Sequence, residues 1–298
     1  MNKQHTSNYV LHARSNEFYW EGSGQLSVKT FRNGNAQYKK GQGTYAVEEG
    51  RYLLLNEGDY ALSIEEAEPV ESFCVFFRKG FAGEVLQSLT ARPDNLLSDP
   101  FRPAYDEGFF ERTYQPGAGL NGQLAGLQKA HLLLENPADY EDLFYQLMQE
   151  ILHEQSYARR EFSAIGAERR STREELYKRL MIAYEYIRAC YASPVSLDEL
   201  SKIACLSPSH LLRTYTGFFG KTPHQHLAEF RIIKARKMLE KGEWSMTDIS
   251  FAVGFQTPSS FSKMFRKHTG MSPLQYRKKA RLDKNEAGFS TMLEKKNS

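Results

Sequence analysis

The chain has 298 residues, of which 41% are hydrophobic and 25% are charged, so wholesale disorder is excluded and two globular domains are expected at about 150 residues each. Its 39 basic and 36 acidic residues leave a formal net charge of +3. The three cysteines are widely separated, which excludes a disulfide scaffold or zinc knuckle and favours a reducing compartment.

Short runs rich in Tyr, Phe, Leu and Val predict β-strands in the first hundred residues. The predicted strands cover residues 26–31, 45–47, 51–55, 60–64 and 72–77, with glycine-containing turns between several of them. Short strands at this spacing, without a long helix among them, are typical of an antiparallel sandwich or barrel. We expect a short helix over 81–89, then an irregular, proline-containing connection over 92–119 with one strand at 109–114.

The pattern becomes helical at Leu120. Leucines at 120, 124 and 127 and then at 143 and 147 recur at helical spacing, which predicts a two-helix hairpin that packs on the β-domain or on a second copy of the chain. Charged residues without apolar periodicity over 161–171 predict a linker. Thr172 followed by Glu175 resembles a capping box and predicts the start of the next helix.

An internal repeat occupies the basic part of the chain. Residues 196–206 align with 245–255, and residues 208–215 align with 258–265. Each copy has a serine cap, a short helix, a tight turn and a second helix that starts with proline, which is the pattern of a helix-turn-helix. The repeat lies within residues 172–282, which carry 19 basic and 9 acidic residues, whereas residues 1–171 carry 17 and 24. This asymmetry favours a polyanion as the partner of the repeat.

One long helix over 223–241 is predicted between the two copies, with Leu227, Phe230, Ile233, Met238 and Leu239 on its apolar side. Such a helix would hold the two second helices at a fixed distance, so that they enter successive major grooves about 34 Å apart on double-stranded DNA.

With these residues the basic segment resembles the AraC/XylS family of bacterial transcription regulators. The resemblance runs from Ser196 to Arg277 and is most specific over 249–255 and 261–277. It implies seven helices in the DNA-binding domain, preceded in most members by a cupin-like β-barrel with a helical dimerisation hairpin. Cys205 departs from the family pattern, because glycine is usual in that turn.

The predicted fold class is therefore α+β with two domains. The first is an N-terminal cupin-like antiparallel β-barrel with a helical hairpin, and the second is a C-terminal all-α domain with two helix-turn-helix motifs. We expect an effector-sensing and dimerisation domain over 1–160 with its hairpin at about 120–160, a linker over 161–171, a DNA-binding domain over 172–282 and a polar tail over 283–298.

The spacing of residues along the second helix of each helix-turn-helix motif indicates which side chains are candidate DNA contacts. Arg213 is the best candidate for reading a base, because a guanidinium pairs bidentately with guanine, while a phosphate contact or a solvated charge remains the alternative. Ser209 and His210 lie at a helix N-terminus, which favours phosphate. The full set of expected DNA-binding residues is Ser209, His210, Leu212, Arg213, Gln256, Ser259, Ser262, Lys263 and Arg266.

The predicted barrel is expected to bind a small molecule, a sugar or an aromatic compound, rather than to catalyse a reaction. Residues 13–130 contain no histidine, so the usual cupin metal site is not expected, and no metal or other cofactor is predicted. His224 and His226 have the spacing of a ligand pair, but they point apart on a helix. The candidate ligand contacts are Trp20, Tyr38, Tyr45 and Arg51.

These observations predict a cytoplasmic, sequence-specific transcription regulator that responds to a small-molecule effector. No signal peptide or membrane helix is expected. The family resemblance adds RNA polymerase and a second copy of the chain as partners. Two alternatives remain: a ligand-independent regulator whose barrel serves only dimerisation or protein contacts, and a DNA-acting repair enzyme, which the scattered cysteines disfavour.

Overall fold

The computed structural model describes residues 7–90, 108–134, 140–161 and 170–283. The chain divides into two units, Met1–Tyr186 and Ile187–Ser298. Within the described ranges no helix is long and apolar enough to cross a membrane. Most of the predicted linker, the polar tail beyond residue 283 and residues 92–107 of the predicted connection lie outside the described residues.

In the part of the first unit that the structure describes, seven strands form one antiparallel sheet in the order β4-β3-β6-β2-β5-β7, and β1 also pairs with β6. Strands β4 and β7, at the two ends of this order, lie in contact, so the sheet curls into a nearly closed barrel and confirms the predicted fold class. The strands are β1 (Tyr9–Gly24), β2 (Ser27–Arg32), β3 (Asn35–Lys40), β4 (Gly43–Glu48), β5 (Tyr52–Leu55), β6 (Gly58–Phe76) and β7 (Arg112–Tyr114).

The prediction of separate strands over 60–64 and 72–77 is wrong, because both belong to the single strand β6. Along one side β6 pairs with β1, and the register shifts between Ser15 and Glu17. Its first part also pairs with β3, and its last part also pairs with β2. The mostly exposed, acidic residues at 65–69 resemble a loop in sequence, but they lie within β6, where residues 66–69 coincide with the shift in register against β1.

Strands β1 and β3 are absent from the sequence prediction. Most side chains of β1 are exposed or half-buried, including polar ones such as Arg14 and Glu17, so the strand lacks the alternating apolar pattern of a half-buried strand. Strand β3 buries only Ala36 and Tyr38 of its six residues. Their pairing with long β6 supplies the order that local pattern does not.

The inside of the barrel is filled by side chains. One core cluster joins aromatic and aliphatic residues from five strands, and the ring centroids of Tyr38 and Tyr60 lie 5.7 Å apart. Its members with the largest side chains are Phe31, Tyr38, Tyr45, Tyr60 and Phe76. Burial of apolar area at this scale is the main stabilising contribution to the unit.

Among the residues described up to 189, four helices accompany the barrel: α1 (Phe81–Thr90), α2 (Ala118–Leu133), α3 (Glu141–Glu161) and α4 (Arg170–Ala189). Helices α2 and α3 contact each other as the predicted hairpin. They also bind the barrel, since the Tyr52 hydroxyl donates to Glu154 over 2.5 Å and Gln128 donates to Glu71 over 3.0 Å. Helix α4 begins at Arg170, so the predicted capping box at Thr172 is wrong and Thr172 lies within the helix.

Helix α4 extends from the first unit into the second. Its buried Tyr177 packs edge-on against Phe110 at 4.7 Å between centroids. Its fully buried Glu185 accepts hydrogen bonds from the backbone N–H and the hydroxyl of Thr113 in β7, at 3.0 and 2.9 Å. The division after Tyr186 thus leaves most of α4 with the barrel, whereas the sequence grouped it with the DNA-binding domain.

The second unit is helical throughout its described length. Its helices are α5 (Leu197–Ile203), α6 (Pro208–Phe219), α7 (Pro223–Lys241), α8 (Met246–Ala252), α9 (Pro258–Thr269) and α10, residues 273–283. The predicted apolar side of α7 needs one correction, because Ile233 is 43% exposed and its neighbour Ile232 is buried. Together with α4 these are the seven helices that the family resemblance implies for this region.

Candidate nucleic-acid interface

The first helix-turn-helix is formed by α5 and α6. Ser196 caps α5 by accepting a hydrogen bond from the Glu199 N–H at 3.1 Å, and the Glu199 carboxylate accepts from the Ser196 N–H in return. After a tight turn, Ser207 caps α6, which begins with Pro208. The capped starts fix where each helix begins.

The second helix-turn-helix repeats this construction in α8 and α9. Ser245 caps α8 by accepting from the Asp248 N–H, and Thr257 caps α9 by accepting from the Ser260 N–H at 3.2 Å. Phe261 and Phe265 are buried at the positions that Leu211 and Tyr215 occupy in α6. The predicted repeat is therefore a repeat of structure, down to the caps and the buried face.

Helix α7 connects the two helix-turn-helix motifs and packs on both of them. Near its start, His226 Nδ1 hydrogen-bonds the Tyr215 hydroxyl of α6 at 2.7 Å. Its second half contributes Ile232, Ala235 and Leu239 to the core that α8 and α9 share. Because both helix-turn-helix motifs pack on one continuous helix, their second helices, α6 and α9, are held at a fixed geometry within the second unit.

Helices α6 and α9 present the predicted DNA contacts to solvent. Of the nine residues expected to bind DNA, His210 is half-buried and the other eight are exposed. Three pairs of exposed residues occupy equivalent positions on α6 and α9. These pairs are Ser209 with Ser259, Leu212 with Ser262, and Arg213 with Lys263. Gln256 lies in the turn before α9, and Arg266 lies one turn after Ser262. The structure thus brings the predicted residues onto two equivalent helix faces, and their contact with DNA stays a prediction.

Leu212 lies at the edge of an apolar cavity of about 290 Å³ in this unit. Leu200, Pro223 and Leu227 form part of its wall. The side chain is 39% exposed, so it remains available for an apolar contact such as a thymine methyl.

Arg231 holds the structure of the unit together. Its Nε donates to the Tyr191 carbonyl at 2.8 Å, its Nη2 donates to the Ser193 carbonyl at 3.0 Å, and burial lowers its pKa. The guanidinium also lies 5.5 Å from the ring centre of Phe255. These bonds favour a structural role for this arginine over a DNA contact.

His224 and His226 do not form a metal site with other side chains. His226 is buried, and burial lowers its pKa, an effect that Glu229 at 4.0 Å opposes and the Lys221 ammonium adds to. His224 is exposed. Across the described residues no group of three or more His, Cys, Asp or Glu side chains is placed to hold a metal ion.

The four candidate ligand residues of the barrel do not converge. Tyr38 and Tyr45 are buried in the barrel core, and Trp20 packs half-buried at 4.9 Å from the ring centre of Tyr60. Arg51 lies elsewhere, where Nη2 donates to the Thr113 carbonyl at 2.7 Å and to its hydroxyl at 3.1 Å. Their roles as ligand contacts therefore stay predictions.

A cleft of about 270 Å³ separates the outer face of the sheet from helix α2, and we call it the sheet–helix cleft. Charged residues at its wall come from β2, β6 and the β4–β5 turn, while α2 contributes both amides and apolar groups. The lining of the cleft includes Arg32, Glu49, Arg51, Phe73, Leu124 and Ala125.

A cluster of polar side chains around Glu71, at the wall of this cleft, was not predicted from the sequence. The Glu71 carboxylate accepts hydrogen bonds from His12 at 2.9 Å, Arg14 at 3.0 Å and Gln128 at 3.0 Å. The His12 hydrogen bond, followed by that of Arg14, lowers the pKa of Glu71. His131 lies 6.1 Å from His12 between ring centres, and burial lowers its pKa. No sequence spacing connects these residues, because β1, β6 and α2 bring them together.

Lys29 is a second unexpected group, fully inside the barrel. Its Nζ donates to the Tyr60 hydroxyl at 3.1 Å and lies 3.6 Å from the ring centre of Phe76. Burial lowers its pKa to about 8, and the nearby Cys74 thiol partly opposes this. From sequence alone Lys29 would be expected to point to solvent from its strand, since lysine is seldom buried.

Comparison with known proteins identifies the helical region. Residues 200–279 match a family model described as a helix-turn-helix domain. The uncharacterized HTH-type transcriptional regulator YdeC of Bacillus subtilis is 24% identical over 241 residues, which is 78% of this chain and 76% of that protein. YobQ of the same organism, also named an HTH-type transcriptional regulator, is 30% identical over 38% of this chain and 46% of its own length.

Among solved structures, the DNA-binding domain of the transcriptional factor AdpA in complex with target DNA is 24% identical. It aligns with 35% of this chain and 94% of its own, with a TM-score of 0.34.

Proposed function

We propose that this chain is a DNA-binding transcription regulator of the AraC type that reads a specific operator with α6 and α9 and responds to a small-molecule effector. The helix-turn-helix match at residues 200–279 and the similarity to HTH-type transcriptional regulators support this proposal. The observation that supports operator reading most directly is the matched exposure of Arg213 and Lys263 on two equivalently capped helices. Helix insertion into the major groove requires this outward, rigid presentation.

In this proposal the two helices have different tasks. Arg213 reads a base, because its planar guanidinium matches guanine O6 and N7. Lys263, at the equivalent position of α9, holds a phosphate as a compact charge. Ser209, His210 and Ser259 lie in the first turn of their helices, where backbone N–H groups favour phosphate.

The experiment compares Arg213→Ala with Lys263→Ala, using DNA selected from a random pool by the full chain. Arg213→Ala should relax preference at one position of the site and cost about 1–3 kcal/mol there. Lys263→Ala, the matched control from the repeat, should weaken binding about equally on all sequences. An equal loss on all sequences for Arg213→Ala would show that this arginine does not read a base.

We propose further that the α2–α3 hairpin dimerises the chain and that RNA polymerase is contacted during activation. Three consecutive exposed leucines, Leu132, Leu133 and Leu134, at the end of α2 support an interface there. Sedimentation of the full chain with Leu132→Lys and Leu133→Lys, beside the control Lys129→Glu, tests the dimer. A wild-type chain that sediments as a monomer at micromolar concentration would rule it out.

The packed barrel interior supports a second candidate, a regulator whose first unit only dimerises or contacts proteins. Tyr38 and Tyr45 occupy the space where a cupin-like barrel would hold a ligand. Thermal-shift screening of the full chain with sugars and aromatic compounds separates the two, because a ligand that binds the folded state raises the melting temperature.

A further inference from the structure

The sheet–helix cleft carries two uncommitted charges of opposite sign. Arg32 and Glu49 are both exposed and both line the cleft, yet neither forms a hydrogen bond or ion pair with another side chain of the described residues. They do not pair with each other either. The cleft therefore offers an unmatched cation and an unmatched anion across one small space.

The remaining charged groups of the cleft are committed. The Glu71 carboxylate accepts hydrogen bonds from the three donors His12, Arg14 and Gln128, and Arg14 forms an ion pair with it. Arg51 is a second guanidinium in the cleft wall, and its hydrogen bonds to the Thr113 carbonyl and hydroxyl hold it in place. A ligand in the cleft therefore meets two guanidinium groups and the Glu49 carboxylate.

The floor of the cleft is apolar. Phe73 and Leu124 are 5% and 8% exposed, respectively, and both line the cleft. A volume of about 270 Å³ lies just below the usual range for drug-sized ligands, about 300–1,000 Å³, and suits a small metabolite. The chemistry that satisfies all three features is a carboxylate for the arginines, an ammonium for Glu49 and an apolar body for Phe73 and Leu124.

We propose that the effector of this regulator is an α-amino acid with an apolar side chain, bound in the sheet–helix cleft. This inference rests on the proposed function, since it identifies the class of small molecule that the first unit senses. Arg32 and Arg51 hold the carboxylate, and Glu49 holds the ammonium. The site lies outside the packed interior of the barrel.

A short path of hydrogen bonds leads from this cleft to α4. Arg51 donates to the carbonyl and hydroxyl of Thr113, and the Thr113 hydroxyl and N–H donate to Glu185, which is fully buried. Helix α4 carries Glu185 and continues to Ala189, beyond the end of the first unit. A ligand that moves Arg51 therefore acts on α4 through Thr113, which is a positioning residue in this path.

The binding test uses L-leucine and two analogues that each lack one charge, titrated into the full chain by calorimetry. L-Leucine should bind, while leucinamide, without the carboxylate, and 4-methylpentanoate, without the ammonium, should bind at least about tenfold more weakly. Absence of leucine binding at millimolar concentration, or leucinamide binding as tightly as leucine, overturns the proposal.

Three variants, with one control, test the site further. Glu49→Gln should reverse the preference and favour 4-methylpentanoate over leucine, whereas Arg32→Gln should weaken both by about tenfold or more. Ala125→Trp should fill the cleft and abolish binding, with Lys129→Trp, an exposed residue of α2 outside the cleft, as its matched control. Unchanged leucine affinity in both Ala125→Trp and Arg32→Gln would place the ligand elsewhere and contradict the site.

The regulatory step is tested on the same samples by fluorescence anisotropy with DNA from upstream of the chain's own gene. Saturating leucine should change DNA affinity in the wild type and not in Thr113→Val, with leucine affinity retained and coupling restored by Thr113→Ser. Full coupling in Thr113→Val refutes the path. DNA binding without leucine binding refutes only this inference, whereas failure to bind any DNA refutes the proposed function.

Discussion

Cys205 and Gly254 occupy equivalent places in the two helix-turn-helix turns, and both have positive φ, at 51° and 88°. The left-handed region costs a side chain about 1–2 kcal/mol. Only the second turn is also crowded, because a Cβ on Gly254 would lie 2.5 Å from the Ala192 carbonyl oxygen. The first turn therefore tolerates cysteine where the family pattern has glycine.

Gly254→Ala should destabilise the second unit by about 2 kcal/mol or more, because strain and a backbone clash act together. Cys205→Ala, which keeps a Cβ in the equivalent turn, is the matched control and should change the free energy of unfolding by less than about 1 kcal/mol. Urea denaturation followed by far-UV circular dichroism measures both. Equal losses in the two variants would contradict the role of the Ala192 carbonyl.

Lys29 should make the stability of the first unit depend on pH. Its folded pKa of about 8 lies below its ordinary value of 10.5, so the unfolded chain binds more protons between these values. The contribution of Lys29 is therefore most favourable above pH 10.5 and is lost as pH falls toward 8. Lys29→Met should stabilise the unit at pH 7 by about 1–3 kcal/mol, and this advantage should shrink by about 1–2 kcal/mol at pH 9.5.

Denaturant unfolding of the wild type and of Lys29→Met at pH 7 and pH 9.5 measures this difference in the free energy of unfolding. The comparison cancels the titration of the tyrosines, because both proteins contain them. Lys39→Met, on an exposed position of β3, should show no such pH dependence. A Lys29→Met chain that is less stable than the wild type at pH 7 would mean that the bonds to Tyr60 and Phe76 outweigh desolvation.

At the scale of helices and strands, the capped helices were the easiest to predict. Ser196, Ser207, Ser245 and Thr257 act within a few residues of themselves, so their signal is present in any short window of sequence. The prediction of a capping box at Thr172 was wrong because the same residue types also occur inside a helix, and no local feature of the sequence distinguishes the two cases.

Removing one cap should loosen one helix. Thr257→Ala leaves the Ser260 N–H without its side-chain acceptor and should cost about 1 kcal/mol, expressed as faster exchange of the first amides of α9. Thr247→Ala, exposed in the first turn of α8 and not its cap, is the control. Hydrogen exchange followed by mass spectrometry reads out residues 258–262, and unchanged protection in Thr257→Ala would show that Pro258 and the packing of Phe261 suffice.

The strands were predicted less well for a reason of pairing. The fully buried run Tyr52–Leu55 is recognisable alone, but β1 and the continuous course of β6 depend on the pairing between these two distant strands on both sides of the register shift. Long-range pairing of this kind cannot be read from either segment in isolation.

At the scale of the whole molecule, the charge asymmetry of the sequence predicts how DNA binding depends on salt. The excess of basic residues over 172–282 implies counterion release from several phosphates, so the logarithm of the association constant should fall steeply with the logarithm of salt concentration. The double variant Lys263→Ala, Arg266→Ala should lower the magnitude of this slope by about 2.

The slope is measured by fluorescence anisotropy of the full chain between about 50 and 200 mM salt. Lys39→Ala, which removes one exposed charge from the barrel, should leave the slope unchanged. A flat response in the wild type would contradict an electrostatic interface on α6 and α9.

Local pattern was sufficient for the DNA-binding half. Its caps, turns and buried positions repeat within about fifty residues, and the same contacts that define each helix also decide which residues face outward. The first unit was different, because its informative groups come from distant segments. Lys29 lies inside the barrel, Glu71 accepts hydrogen bonds from His12, Arg14 and Gln128, and Arg32 and Glu49 line one cleft only when the strands and α2 are packed. Short-range hydrogen bonds leave a signal in sequence, whereas burial and charge pairing between distant strands exist only in the folded chain.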